Sequence, residues 1–297
     1  MKLAAIDIGS NAARLLITEA TEEEKGKVIF QKLNLIRIPL RLGFDVFETG
    51  TISKEKTAKL IETIKAYRHL LNIYDIKHLK ACATSAMRDA KNAPEIIKKV
   101  KDITGIEIEI ISGEQEAAYI YENHIAENLS SDHSYLYIDV GGGSTELTFF
   151  SRGKAVFKRS FNIGTIRLLK KQVKENLWEE IKDFLKQNLK GHAQPVAIGS
   201  GGNINKIFSL SKKKEGKPLS FDLLKDYYKE LSSVSLKDRI ELYQLREDRA
   251  DVIVPALQIY VNVMRWANAD EIYVPKIGLA DGLIHMLYDE VKLEAGI

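Results

Sequence analysis

Hydrophobic and polar residues follow each other along this chain in two series of similar order, each opening with three strand-like segments. The strands of the first series are predicted at residues 2–8, 13–19 and 27–38, and those of the second at 134–140, 145–151 and 154–162. Alternating helices and strands follow in both series. Such an internal duplication is typical of two similar α/β domains. We therefore predict domains at residues 1–128 and 129–297, with a last helix that can return to the first domain.

Apolar residues spaced three and four positions apart predict the helices that follow these strands. In the first domain, a polar loop over 43–50 leads to predicted helices at 53–71, around Met87 and Arg88, from Pro94 to Gly105 and at 112–128, with strands at 78–83 and 106–111. In the second domain, helices are predicted at 164–172, 176–189, 202–211, 220–231, 235–241, 248–268 and 280–293, with strands at 195–199 and 271–275. A polar linker at 128–132 marks the predicted domain boundary.

The segment Asp139–Glu146 joins the first two strands of the second series and carries three glycines and two hydroxyl residues between two carboxylates. Glycine lets the backbone turn its N–H groups into one concavity, which favours phosphate oxygens. A tight hairpin would also bring the two carboxylates together, where they could hold Mg²⁺. An ordinary glycine-rich hairpin with surface acids is the alternative, and this segment alone does not decide between the two.

A second copy of the pattern favours phosphate binding. The segment Ile6–Asn11 repeats the same order of apolar strand, aspartate and glycine early in the chain. With one such turn in each domain, two phosphate-facing turns would converge on a cleft.

Composition and charge exclude several classes of function. Apolar residues make up 45% of the chain, charged residues 29%, and the formal charge is +3, so no basic field indicates nucleic acid or an anionic membrane as a partner. The histidines lack zinc-site spacing, and no G-x-S-x-G elbow is present. No apolar run is long enough to span a bilayer. The single cysteine, Cys82, fits a reducing compartment, so we predict a cytoplasmic protein.

Several ordered motifs together carry a family resemblance. They are DIGSNAARLLI at 7–17, LRLGFDVFETGTIS at 40–53, ATSAMRDA at 83–90, ISGEQEA at 111–117, DVGGGSTE at 139–146, GSGGN at 199–203, RADVIVPA at 249–256 and GLADGL at 278–283. In these motifs the chain resembles the exopolyphosphatase/guanosine pentaphosphate phosphatase (Ppx/GppA) family of the actin and sugar-kinase superfamily, in its compact two-domain form. The resemblance implies two ribonuclease H-like α/β domains facing a central cleft, and hydrolysis of a phosphoanhydride bond.

The resemblance also implies roles for individual residues. Glu116 matches the glutamate that activates water, although the spacing alone favours a glutamate that compensates the dipole of its helix. Asp139 and Glu146 match the ligands of Mg²⁺ or Mn²⁺. The implied phosphate-binding residues are Ser10, Asn11, Arg88, Gly141, Gly142, Gly143, Ser144, Thr145, Gly199, Ser200, Gly201 and Gly202.

The implied substrate is inorganic polyphosphate or a phosphorylated guanosine nucleotide. A homodimer is expected only because dimers are common among oligomeric enzymes. Two alternatives stay open from the sequence. One is a phosphotransferase or ATPase of the same superfamily, and the other is a non-catalytic sensor that binds guanosine tetra- or pentaphosphate or another nucleotide.

Overall fold

The structure is a computed structural model that describes residues 1–23, 27–121 and 133–295. The chain divides into two compact units. The first consists of Met1–Asn123 together with Gly278–Ile297, and the second of His124–Ile277. The predicted boundary at 128–132 lies outside the described residues.

The first unit contains a five-stranded sheet with helices that follow its strands. Its strands are β1 (Lys2–Ile8), β2 (Ala13–Glu22), β3 (Val28–Ile38), β4 (His78–Ala83) and β5 (Glu109–Ile110). Its helices before the second unit are α1 (Gly43–Thr49), α2 (Lys54–Ile73), α3 (Ser85–Asp89), α4 (Ala93–Thr104) and α5 (Gly113–Tyr121). The strand order is β3-β2-β1-β4-β5, in which β1 to β3 pair antiparallel and β4 and β5 continue parallel to β1.

The second unit contains a six-stranded sheet in the order β10-β11-β9-β6-β7-β8. Its strands are β6 (Ser134–Val140), β7 (Thr145–Ser151), β8 (Lys154–Phe161), β9 (Pro195–Ser200), β10 (Leu219–Ser220) and β11 (Glu271–Tyr273). Its helices are α6 (Thr165–Leu169), α7 (Leu177–Leu189), α8 (Gly202–Leu210), α9 (Phe221–Ser233), α10 (Leu236–Tyr243), α11 (Glu247–Ala250) and α12 (Ile253–Ala267).

Both sheets repeat one arrangement. An antiparallel meander of three strands is followed by two strands parallel to its first strand, β4 and β5 in one unit and β9 and β11 in the other. The predicted duplicated, ribonuclease H-like α/β fold is confirmed.

A last helix, α13 (Leu279–Ala295), completes the core of the first unit. It packs against β1, β2, β4 and α5, and its side chains join a cluster that includes Leu3, Leu16 and Cys82. Burial raises the pKa of the Cys82 thiol to about 12, so this thiol stays protonated and chemically inert at neutral pH.

Some predicted elements differ from the observed ones. The predicted helix at 248–268 is interrupted, and its main part, α12, begins only at Ile253. The ring of Pro255 clashes with a helical carbonyl four residues earlier, at Asp251, so one continuous helix is excluded. The predicted loop over 43–50 contains α1, and the strand predicted at 106–111 is reduced to β5. Among the described residues, no helix combines the length and apolarity needed to cross a membrane.

Candidate active site

Two carboxylates face each other at the start of the hairpin between β6 and β7. Asp139 on β6 is the direct register partner of Glu146 on β7, because a short loop returns the chain antiparallel. One carboxylate oxygen of Asp139 lies within 4.8 Å of one of Glu146. Glu146 is only 3% exposed, and Asp139 is half-buried. The hairpin therefore brings the two acids together, as the sequence predicts.

Each carboxylate accepts a hydrogen bond from a serine on its other neighbouring strand. The Ser200 hydroxyl on β9 donates to Asp139 Oδ1 at 2.7 Å, and the Ser160 hydroxyl on β8 donates to Glu146 Oε1 at 2.8 Å. Both serines are also register partners of the acids that they contact. Ser200, Asp139, Glu146 and Ser160 thus form one row across β9, β6, β7 and β8, which we call the serine–carboxylate row.

The chemistry of the pair fits a divalent cation. Carboxylate oxygens are the hard ligands that Mg²⁺ and Mn²⁺ prefer. Two like charges this close, one of them on a buried side chain, repel each other in a region where solvent screening is reduced. A bound divalent cation would neutralise both charges. Asp139 and Glu146 therefore suit a metal ion, and their chemistry does not select among hard divalent cations.

The glycine loop between these strands is closed by its own backbone and side chains. The N–H of Gly141 donates to the carbonyl of Ser144 at 2.9 Å. The hydroxyl of Thr145 donates to the carbonyl of Ile163 at 2.6 Å, which ties the start of β7 to the segment before α6. Ser144 and Thr145 are both buried. The proton of the Thr145 hydroxyl is therefore used in a hydrogen bond inside the protein.

The first turn of α6 orients the peptides of this loop. Its first two N–H groups donate to the carbonyls of Gly141 and Gly142 at 3.0 and 2.8 Å, and Arg167 Nε donates to the carbonyl of Gly143 at 2.6 Å. The C=O and N–H of a trans peptide point in opposite directions. The N–H groups of Gly142, Gly143 and Ser144 therefore point away from α6. Adjacent N–H groups turned to one side form a concavity that binds anions.

The first unit contains the same loop at the end of β1. The N–H of Gly9 donates to the carbonyl of Ala12 at 3.0 Å, which matches the bond that closes the loop of the second unit. N–H groups from residues 41–43, at the start of α1, donate to the carbonyls of Ser10 and Asn11, both at 2.9 Å. The duplication seen in the sequence therefore extends to the hydrogen bonds of both turns.

Other predicted residues of the first unit follow β4 and β5. The Ser10 hydroxyl shares a hydrogen bond of 2.8 Å with the hydroxyl of Ser85 in α3. From the same helix, Arg88 Nη1 donates to the carbonyl of Ile111 at 2.7 Å. This bond uses one of the five N–H donors of the guanidinium group.

Glu116 lies in the first turn of α5, which begins with a capping box. The N–H of Gln115 donates to the Ser112 hydroxyl at 3.1 Å, and the N–H of Ser112 donates to Gln115 Oε1 at 2.8 Å. Ser112 and Gln115 stand three residues apart, which is the spacing that such a box requires. Glu116 is buried, whereas Glu114 in the same turn is exposed. Simple compensation of the helix dipole needs no burial, so it accounts for Glu114 better than for Glu116.

The turn from Gly199 to Gly202 is shaped by close contacts. Gly201 has φ +106° and ψ 156°, a conformation that is open essentially to glycine alone, and a Cβ there would lie 3.1 Å from Asp139 Oδ1. A Cβ on Gly202 would lie 2.6 Å from the guanidinium of Arg249. That guanidinium also donates to Asn203 Oδ1 at 2.8 Å. The turn is therefore fixed on one side by Asp139 and on the other by Arg249.

Each unit brings its predicted residues to one edge of its sheet. In the first unit these residues follow the carboxyl ends of β1, β4 and β5, and in the second those of β6 and β9. Ligands of open α/β sheets bind outside the carboxyl ends of the strands. The geometry adds Ser160, Gly164, Arg167 and Arg249, which the sequence does not single out as site residues. For Arg249 a signal exists, because it opens the motif RADVIVPA.

Gly164 tests whether the position of the glycine loop matters. Its backbone is extended, with φ −150°, so any residue tolerates the conformation. A Cβ there, however, would lie 2.5 Å from backbone atoms of Gly142 and Gly143. We expect Gly164→Ala to displace the loop and lower kcat/KM by about a hundredfold in a phosphate-release assay. Gly278→Ala is the control, because a Cβ there meets no atom within 4 Å. Equal activity of both variants would contradict the role given to the loop.

Comparisons with known proteins identify one family. A sequence model of the Ppx/GppA phosphatase family matches residues 20–292. The bifunctional 3-dehydroquinate synthase/phosphatase of Fusobacterium nucleatum is 31% identical in an alignment of 309 positions that covers 91% of this chain and 44% of that protein. The guanosine-5'-triphosphate,3'-diphosphate pyrophosphatase of Vibrio vulnificus is 25% identical in an alignment of 302 positions that covers 97% of this chain and 60% of that protein. The chain thus spans about half the length of these two relatives.

A solved structure matches almost the entire chain. The crystal structure of the Aquifex aeolicus Ppx/GppA family member superposes with a TM-score of 0.75 at 27% sequence identity. The match covers 99% of this chain and 98% of that one.

Proposed function

Because the chain belongs to the Ppx/GppA phosphatase family, we propose that it hydrolyses phosphoanhydride bonds. The proposed reaction releases the terminal phosphate of inorganic polyphosphate or of guanosine pentaphosphate. The observation that carries this proposal is the hairpin at Asp139–Glu146, in which a concavity of N–H groups adjoins a pair of carboxylates. The activity for which the Vibrio vulnificus relative is named supports a phosphorylated guanosine nucleotide as one substrate.

This arrangement suits phosphoryl transfer. The transferred group carries charge spread over its oxygens, so catalysis consists mainly of positioning and charge neutralisation. In the proposal, the N–H groups of Gly142, Gly143 and Ser144 bind phosphate oxygens. Further phosphate contacts are proposed for Ser10, Asn11, Arg88, Gly199, Ser200, Gly201 and Gly202, whereas the Gly141 N–H and the Thr145 hydroxyl donate inside the protein.

Asp139 and Glu146 are the proposed ligands of Mg²⁺ or Mn²⁺. When bound, such a cation neutralises phosphate oxygens and the leaving group. The family membership and the approach of the carboxylate oxygens to within 4.8 Å of each other support this assignment.

Glu116 is the proposed general base. It lies in the first turn of α5, where the positive end of the helix dipole stabilises a carboxylate, and a carboxylate can serve as the proton acceptor for water.

A phosphate-release panel tests the proposed function. Purified protein is assayed with inorganic polyphosphate, guanosine pentaphosphate, triphosphate and ATP, each with Mg²⁺ and with Mn²⁺. We expect phosphate release from polyphosphate in the absence of any nucleotide, or from guanosine pentaphosphate in the absence of an added phosphate acceptor. Release from ATP alone would favour a phosphotransferase or ATPase. Calorimetric binding of guanosine pentaphosphate without release of phosphate would favour a sensor.

A further inference from the structure

The two serines of the serine–carboxylate row occupy positions that the rest of the unit fixes. Ser160 reaches Glu146 because β8 carries an irregularity: Phe149 pairs with Phe157, whereas Phe150 pairs with Ala155. Val156 is therefore the extra residue, and it shifts the following pairs by one position. Bulges of this kind re-aim side chains next to functional sites.

Ser200 is fixed from the opposite side of the row. The hydroxyl of Tyr260, a fully buried residue of α12, donates to the carbonyl of Ser200. Burial raises the pKa of Tyr260 well above its usual value, so this donor keeps its proton at neutral pH. The next residue, Gly201, adopts a conformation open essentially to glycine and lies against Asp139. Both the backbone and the side chain of Ser200 are thus held beside the carboxylate.

Hydrogen bonds from these hydroxyls restrict the rotation of the carboxylates and leave most of their lone pairs available to a cation. An ionised carboxylate offers about four lone-pair sites, and each serine uses one of them. A bond to a charged acceptor is also stronger than one between neutral groups. The remaining lone pairs keep a fixed direction, so less rotational freedom is lost when a cation binds.

We infer that Ser160 and Ser200 are positioning residues that hold Glu146 and Asp139 in the orientation needed to bind a divalent cation. The inference rests on the proposed function, because it presupposes that this pair binds a metal. It adds a bond to a metal ligand to the phosphate contact proposed for Ser200. Residues that hydrogen-bond to metal ligands typically contribute about 10–100-fold to metal affinity. We expect an effect of this size for Ser160 and Ser200.

Calorimetric titration with Mn²⁺ alone, in the absence of substrate, tests this role. We expect Ser160→Ala and Ser200→Ala each to weaken Mn²⁺ binding by about 10–100-fold. Ser160→Thr keeps the hydroxyl on a half-exposed strand position and should restore the affinity. Ser151→Ala is the matched control, because it removes a buried serine–serine bond to Ser134 from β7, the strand that also carries Glu146.

The outcomes separate the inference from the proposed function. If Glu146→Gln loses Mn²⁺ while Ser160→Ala and Ser200→Ala bind it like wild type, the positioning role is wrong and the proposed metal site stands. If wild type itself does not bind Mn²⁺, or Asp139→Asn and Glu146→Gln bind it unchanged, both are wrong. The positioning role would also be wrong if Ser151→Ala and Ser160→Ala lost the same amount of Mn²⁺ affinity and had the same melting temperature. The loss of any serine hydrogen bond would then have the same effect on the metal.

Discussion

Replacing Glu116 with glutamine is expected to lower kcat by at least about a hundredfold, because a general base contributes roughly 10²–10⁴ to the rate. Glutamine keeps the size of the side chain but cannot accept the proton of water. Substrate binding should stay near wild type, since the removed interaction acts in the transition state. Steady-state kinetics of phosphate release, with kcat and KM determined separately, measure this effect.

The control for this prediction lies in the same helical turn. Glu114 is exposed, whereas Glu116 is buried. Glu114→Gln should leave kcat nearly unchanged and reduce stability by less than about 1 kcal/mol, the worth of one charge at a helix end. The reverse order of the two variants would show that Glu114 is the base and that the motif is matched in the wrong register.

The second large effect is expected from the carboxylate pair. Asp139→Asn and Glu146→Gln should each raise the Mg²⁺ concentration needed for half-maximal activity, because each removes the charge of a metal ligand. We expect an increase larger than the roughly 10–100-fold effect of losing a neighbouring hydrogen-bond donor. Activity measured against Mg²⁺ concentration gives the shift. Without metal, either change removes repulsion between two adjacent charges, so the melting temperature of the apo protein should stay level or rise.

A distant carboxylate controls for the general loss of negative charge. Asp183 is exposed on α7 of the same unit, and Asp183→Asn should leave the Mg²⁺ dependence unchanged. Wild-type activity of both Asp139→Asn and Glu146→Gln at limiting Mg²⁺ would remove the metal assignment.

Local patterns predict the elements that hold the site, and non-local packing decides its details. The hairpin at Asp139–Glu146 and the capping box at Ser112 follow from residues close together in the chain. The position of Ser160 does not. A two-residue turn at 152–153 without a bulge would pair Glu146 with Arg159, and the bulge at Val156 puts Ser160 there instead. Strand register depends on the packing of whole faces, which a single sequence does not display.

Contacts between distant segments are missed for the same reason. Gly164 touches Gly142, and Arg249 covers Gly202, across wide gaps in the chain. Gly164 and Gly202 cannot carry a side chain because other residues pack against them. The sequence shows the glycine but not the residue that packs against it. Pro255 is a partial exception: its effect on the carbonyl four residues earlier is local, and it explains the interruption before α12.

The return of α13 to the first unit has a consequence for the order in which the chain can acquire its structure during synthesis. The cluster that joins Leu3, Leu16 and Cys82 to Leu283 and Leu287 cannot close until the last of these residues has left the ribosome. The residues of the second unit are contiguous, so its core needs nothing from beyond Ile277. The first unit therefore keeps one apolar face uncovered until α13, which is synthesised after the second unit, packs against it. Exposed faces of this kind are where growing chains associate wrongly, and a long-range contact of this span is slow to form.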